Sequence, residues 1–119
     1  MKYRLTKNFI IQNDKILYQI EALKNFSDVE AGELGGYIES EKNLSQEGDC
    51  WLYGNVRVFG NAVVYGDARV SYYAKVFDDA RVYGSAIVSD FARVYGNAKV
   101  YDNAEVFGFG AVYGNSIIS

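Results

Sequence analysis

From Leu52 onward every sixth residue is aliphatic: Leu52, Val58, Val64, Val70, Val76, Val82, Val88, Val94, Val100, Val106, Val112 and Ile118. Four positions after each comes a residue that is nearly always small: Val56, Ala62, Ala68, Ala74, Ala80, Ala86, Ala92, Ala98, Ala104, Gly110 and Ser116. Pairs such as Gly54-Asn55, Gly66-Asp67 and Gly96-Asn97 stand between them, and these residue types tolerate the left-handed backbone of a corner. No whole number of helical turns spans six residues, and recurring Gly-Asn pairs would break a helix. An antiparallel meander would have arms too short to hold a core. The pattern therefore predicts a solenoid of short strands joined by corners, a solution open to a chain that repeats itself.

A second period sets the number of sides. Three positions after the aliphatic residue most steps carry Asn, Asp or Ser, but Tyr73, Phe91 and Phe109 depart from this and lie eighteen residues apart. Three six-residue sides per coil stack like on like, giving coils 52–69, 70–87, 88–105 and 106–119 at about 4.8 Å per coil. Within a strand the small and aliphatic residues are two apart and share the inner face, while their neighbours point outward.

The outward positions form columns. One side stacks Phe59, Phe77, Tyr95 and Tyr113 beside Arg57, Lys75, Arg93 and Ala111. The next stacks Tyr65, Tyr83 and Tyr101 beside Val63, Arg81, Lys99 and Ile117. The third is irregular, with Trp51, Arg69, Ile87 and Glu105 beside Tyr53, Ser71, Ser89 and Phe107. Two faces thus present aromatic ladders striped with positive charge. Such ladders stabilise a short solenoid by ring stacking, with Arg and Lys stems over the rings. They also suit a binding face, because Tyr and Arg dominate interface hot spots.

The aliphatic-Gly/Asp-x-x-small-x unit resembles the hexapeptide-repeat proteins with a left-handed parallel β-helix, over residues 46 to 119. The expected fold is all-β: a left-handed parallel β-helix of three six-residue sides per coil and about four coils, with a small antiparallel N-terminal cap. The hand comes from the resemblance. Phe26 to Val56, together with the Tyr-Gly-Asn-Ala-Arg-Val array, is also similar to bacterial and prophage proteins of unknown role, some labelled transferases.

Residues 1–45 differ in kind and are expected to form a β cap and lead-in to a β-helix at 46–119, in one compact domain. Lys2–Thr6 and Ile10–Leu23 have strand-like content, and Gln12-Asn13-Asp14-Lys15 suits a hairpin turn. Ala31 to Gly36 is Gly-rich but lacks the Lys-Ser/Thr ending of a phosphate loop. The formal charge of −3 comes entirely from residues 1–50, and the array itself is balanced. Nucleic acid is accordingly the weaker class of partner, although stacked rings with cations suit single strands. A single Cys, no long apolar run and no leader-like N-terminus point to a cytoplasmic protein without membrane attachment.

Hexapeptide-repeat acyltransferases use a His base and tend to carry a loop that interrupts the array. This chain has no His, and no step is skipped from Leu52 to Ile118. Cys50 falls in the inward small column and is expected to be a buried structural thiol rather than a nucleophile. Asp78, Asp79, Asp90 and Asp102 stand at corners, where hydrogen bonding accounts for them. No catalytic residue, cofactor or metal ligand is assigned, and the chain is expected not to be an enzyme.

The expected function is a non-catalytic interaction module of phage or prophage origin, with an inhibitor of a host defence complex as one form. Its binding face would comprise Arg57, Phe59, Tyr65, Lys75, Phe77, Arg81, Tyr83, Arg93, Tyr95, Lys99 and Tyr101. The alternatives are an acyltransferase-like enzyme with a site between subunits, and a self-assembling structural protein. In the last coil the outward positions turn apolar, which predicts a homo-oligomer, most simply a dimer, through Phe107, Phe109, Ala111, Tyr113, Ile117 and Ile118.

Overall fold

The Asn13-Asp14 pair holds positive φ at both residues (50° and 64°), the geometry of a tight two-residue hairpin turn. It joins β1 (Tyr3–Gln12) to β2 (Lys15–Ala22) in antiparallel register, with a shift between Leu5 and Phe9. The computed structural model describes residues 1–119. β3 (Leu34–Ile38) pairs antiparallel with β2 on one edge. On its other edge it pairs parallel with the solenoid, Tyr37 against Arg57 and Ile38 against Val58. The cap and the solenoid therefore share one sheet.

The remaining strands are mostly dipeptides. After a short 3-10 turn at Glu41–Asn43 they run β4 (Trp51–Gly54), β5 (Arg57–Val58), β6 (Val63–Val64), β7 (Arg69–Tyr72) and β8 (Lys75–Val76). They continue as β9 (Arg81–Val82), β10 (Ile87–Val88), β11 (Arg93–Val94), β12 (Lys99–Val100), β13 (Glu105–Val106), β14 (Ala111–Val112) and β15 (Ile117–Ile118). Three parallel sheets result: β3-β5-β8-β11-β14, β4-β7-β10-β13 and β6-β9-β12-β15, with β1 and β2 extending the first. Within the array each residue pairs with the one eighteen positions on, as in Val70 with Val88 and Val82 with Val100. The fold is a three-sided parallel β-solenoid.

The parallel stack begins earlier than the expected boundary at residue 46. Ile38 and Leu44 occupy the aliphatic column, since Leu44 bridges Val64, and Gly36 stands where later coils carry a small residue. A step of eight positions from Leu44 to Leu52 replaces the regular six, which hides this coil from a search at fixed period. Five levels are stacked on the first face rather than four.

The inward columns are sealed. Every Ala and Val from Ala62 through Val100 in these columns is fully buried. Each coil also hands its backbone to the next, as Lys75 N–H does to the Ala92 carbonyl and Phe77 N–H to the Val94 carbonyl, both at 3.0 Å. Burial of one Val side chain contributes roughly 1.5–3 kcal/mol, so the columns supply most of the driving force.

The N-terminal end of the stack is closed by side chains. Lys2 is 1% exposed, and its ammonium donates to the carbonyls of Cys50 (2.7 Å), Gly48 (3.2 Å) and Glu47 (3.5 Å). The Tyr3 hydroxyl donates to the Leu44 and Glu41 carbonyls, and burial pushes its pKa above the ordinary 10.0. Asn43 replaces a lost rung at the 3-10 turn. Its Nδ2 donates to the Ala62 (2.8 Å) and Gly60 (3.2 Å) carbonyls, while its Oδ1 accepts from Ser40 N–H (2.9 Å) and Glu39 N–H (3.1 Å). Trp51 occupies an outward position, yet it is fully buried because the cap residues Tyr3 and Phe26 pack edge-on against its ring.

Candidate functional site: a cationic stripe between aromatic ladders

Parallel register at a fixed rise forces identical side chains into contact along the axis. Phe59, Phe77, Tyr95 and Tyr113 stack with ring centroids 5.1, 5.0 and 5.4 Å apart and planes within 13°. Tyr65, Tyr83 and Tyr101 stack on the second face at 4.7 and 5.1 Å. These distances exceed the roughly 3.5–4.0 Å contact of carbon atoms, so the rings are offset along the stack, the favoured arrangement for parallel rings. Tyr83, held between two other rings, has its hydroxyl pKa raised by desolvation and by its neighbours Tyr65 and Tyr101.

A third ladder runs up a corner: Tyr73, Phe91 and Phe109, with centroids 5.3 and 5.2 Å apart. These residues mark the eighteen-residue period in the sequence, but their place in a binding surface appears only when the corner is folded beside the first face. Between this ladder and the Phe59–Tyr113 ladder lies the column Arg57, Lys75, Arg93, held in register by β5, β8 and β11. Asn55, Arg57, Tyr73, Lys75, Phe91 and Arg93 line a shallow groove of about 270 Å³.

The three cations repel one another. Like charges directly opposite on a sheet are destabilising, and none of the three forms a salt bridge. Arg57 is steadied by the hairpin tip, its Nη1 donating to Gln12 Oε1 at 2.6 Å. Lys75 and Arg93 have no side-chain partner among the hydrogen bonds. Nor do the cations lie over the rings: the single cation–π contact joins Lys2 to Phe26 in the cap, at 5.1 Å. The stripe thus carries charge that no carboxylate balances.

The other sequence-derived positions divide. Tyr65, Arg81, Tyr83, Lys99 and Tyr101 share the second face and do not join the groove. Phe59 is 4% exposed and closed to a ligand, while Phe77 and Tyr95 are half-buried. Phe107, Phe109, Ala111, Tyr113, Ile117 and Ile118 are all exposed, but they belong to three different sheets or corners and form a rim around the last coil rather than one patch. Cys50 is fully buried, with Lys2 Nζ 3.3 Å from its sulfur. Burial raises its pKa and Lys2 partly offsets the rise. The corner carboxylates reach across coils: Asp78 accepts from Gly96 N–H (3.0 Å) and Asp90 from Gly108 N–H (2.9 Å).

Comparison with known proteins agrees with the architecture. Residues 52–66 and 74–90 match the family described as YdcK beta solenoid repeat. Both matched segments lie in the repeat array of the three-sided β-solenoid. The chain is 45% identical over 71 residues to the protein of Escherichia coli (strain K12) named "Uncharacterized acetyltransferase YdcK", a match that covers 52% of this chain and 22% of that protein. The chain is therefore related to a protein carrying an enzyme name. This similarity overturns the expectation, drawn from the missing His and the unbroken array, that the chain is not an enzyme. Absence of one general base is weak ground for exclusion, because carboxylate, Lys, Tyr and water also move protons. No helix is long and apolar enough to cross a membrane.

Proposed function

We propose that this solenoid serves acyl transfer by holding an anionic, ring-bearing acyl carrier of the acetyl-coenzyme A type. The observation that carries this is the column Arg57, Lys75, Arg93, unpaired and set between two aromatic ladders. Phosphate oxygens would neutralise the stripe, removing a repulsion that the free protein bears. A heteroaromatic ring would stack on Tyr73, which ends the corner ladder and has a stacked ring on one side only. The name of the E. coli relative supplies the acyl chemistry.

Calorimetric titration with coenzyme A and with pantetheine, which lacks the nucleotide and its phosphates, tests this directly. The expected result is binding of coenzyme A only, weakened about tenfold or more in the Lys75→Gln, Arg93→Gln double variant. Equal binding by that variant, or none at all by the unaltered chain, removes the proposal.

A second function is favoured by the exposure of Phe109, at 83%, on the same corner ladder. Three exposed rings in line, Tyr73, Phe91 and Phe109, suit a protein partner, either a second copy or a host protein such as a defence complex. Replacing Phe109 by Ser, with fold verified, would abolish capture of a stoichiometric partner in this case and leave coenzyme A binding at Lys75 and Arg93 unchanged.

A further inference from the structure

From Leu52 on, two faces of the prism carry a ring on every full coil at the position after the aliphatic residue, and the third does not. There the column is Tyr53, Ser71, Ser89, Phe107. Tyr53 pairs with Ser71 in the β4–β7 ladder, so Ser71 occupies the place where a ring would meet Tyr53 on either other face. The missing ring leaves a cleft of about 470 Å³, lined by Asp28, Tyr53, Arg69, Ser71, Tyr72 and Ile87, and this volume lies within the range of small-molecule sites.

The walls are held in unfavourable backbone geometry. Tyr72 has φ 62°, at a corner position where the other steps carry Gly or Asp. Ser27, on the cap loop above, has φ 48°. A β-carbon disfavours this region, and such strain persists only where the surroundings impose it. The consequence is that the Tyr72 ring stands exposed beside the vacancy instead of folding away.

The polar groups leave capacity unused. Arg69 Nη1 is 3.8 Å from Asp28 Oδ2, and its Nη2 is 3.3 Å from Ser27 Oγ, both loose contacts. Its remaining N–H groups have no partner. Asp28 Oδ1 accepts the Tyr53 hydroxyl at 2.7 Å, which holds the carboxylate pKa below its ordinary value. A permanent anion thus stands beside Arg69 and disfavours multiply charged ligands, while a planar monoanion matches the guanidinium fork. The ladders on the other faces show which body fits the space: a flat ring at 4.7–5.4 Å from its neighbours.

We propose that this cleft binds a small planar aromatic carboxylate, whose ring takes the vacant ladder place over Ser71 and whose carboxylate pairs with Arg69. The site is separate from the stripe of Arg57, Lys75 and Arg93 and does not depend on acyl transfer. Titration of the full chain with 4-hydroxybenzoate, followed by nuclear magnetic resonance, tests it. The expected result is ring-current shifts at Ser71, Tyr72 and Ile87. Binding should be at least about tenfold weaker for cyclohexanecarboxylate, which has the charge without the flat ring, and for p-cresol, which has the ring without the charge. Ser71→Phe should fill the vacancy and abolish binding while circular dichroism stays unchanged, and Arg69→Gln should weaken binding about tenfold. The Lys75→Gln, Arg93→Gln variant should bind as the unaltered chain does. Equal binding of cyclohexanecarboxylate, undiminished binding by Arg69→Gln, or no shift at about 10 mM ligand would each overturn the proposal.

Discussion

The first coil, from Leu34 to Asp49, and the coils after it share one interior column but are held by different means. In the later coils the strand amides find their acceptors one coil on, the amides of the small column bond within their own turn, as Ala80 N–H does to the Phe77 carbonyl (3.3 Å), and few side chains, such as Asp78 and Asp90, take part. In the first coil the regular spacing is lost, and Lys2, Tyr3, Asn43 and Gln46 supply the bonds that backbone supplies elsewhere. Regular coils distribute stability over many equivalent contacts, so no single side chain dominates. The first coil concentrates it in a few. This is the difference between a repeat array, whose stability is a sum over neighbours, and a cap that must satisfy an open end.

Replacing Asn43 by Leu gives the sharpest break in that comparison. It removes the partners of the buried Ala62 carbonyl, the part-buried Gly60 carbonyl and Ser40 N–H, while Glu39 N–H keeps the Val58 carbonyl at 3.3 Å, and a loss of about 3 kcal/mol is expected in urea denaturation. Asn61→Ala, at a regular exposed corner, should cost under about 1 kcal/mol. A similar loss at both sites would mean that the first coil has no special dependence on side chains.

Glycine corners repeat the contrast at lower amplitude. A β-carbon at Gly48, where φ is 70°, would lie 2.3 Å from the Gly66 carbonyl oxygen, so Gly48→Ala combines strain with a backbone clash and should cost about 3 kcal/mol. Gly108→Ala meets nothing within 4 Å and should cost only the left-handed strain, about 1 kcal/mol. Thermal melts of the two variants measure the difference.

Along the ladders the array predicts that position in the stack sets the cost. Tyr83 has a ring on each side, so Tyr83→Ser should lose about 1–2 kcal/mol. Phe109 has one stacked neighbour, and Phe109→Ser should lose about half as much. Equal losses would show that the rings contribute burial rather than stacking.

The smallest effect concerns pH. Burial raises the Cys50 thiol above 9.0 in the folded chain, so the folded state keeps a proton that the unfolded state releases. This contribution is intact below pH 9 and is lost as pH rises through the folded value. Cys50→Ala, which restores the residue type of the regular column, should flatten the fall in denaturation midpoint between about pH 8 and pH 10. An unchanged slope would assign the alkaline loss to Tyr3, whose buried hydroxyl acts in the same direction from 10.0.

Particular residues show where sequence reasoning reached its end. The column Val58, Val76, Val94 and the ring series Phe59, Phe77, Tyr95 were legible because each recurs at a constant interval, and a parallel stack turns interval into contact. Ile38 and Leu44 were missed because two extra residues before Cys50 break that interval. Trp51 and Phe59 read as outward and are outward in register, yet both are buried. The Asp28 and Arg69 cleft carries no motif at all, since its walls come from a cap loop and two coils.

By itself the sequence determined the three-sided solenoid, its inward columns and the aromatic and basic stripes along its axis. All of these are periodic, and a one-dimensional period is preserved when the chain winds at constant rise. Only the tertiary structure decided where the stack begins, which cations stay unpaired, and where a ring is missing beside Arg69. These depend on contacts between residues far apart with no common period, such as Lys2 with Cys50 and Tyr53 with Asp28, which form only once the cap closes on the first coil.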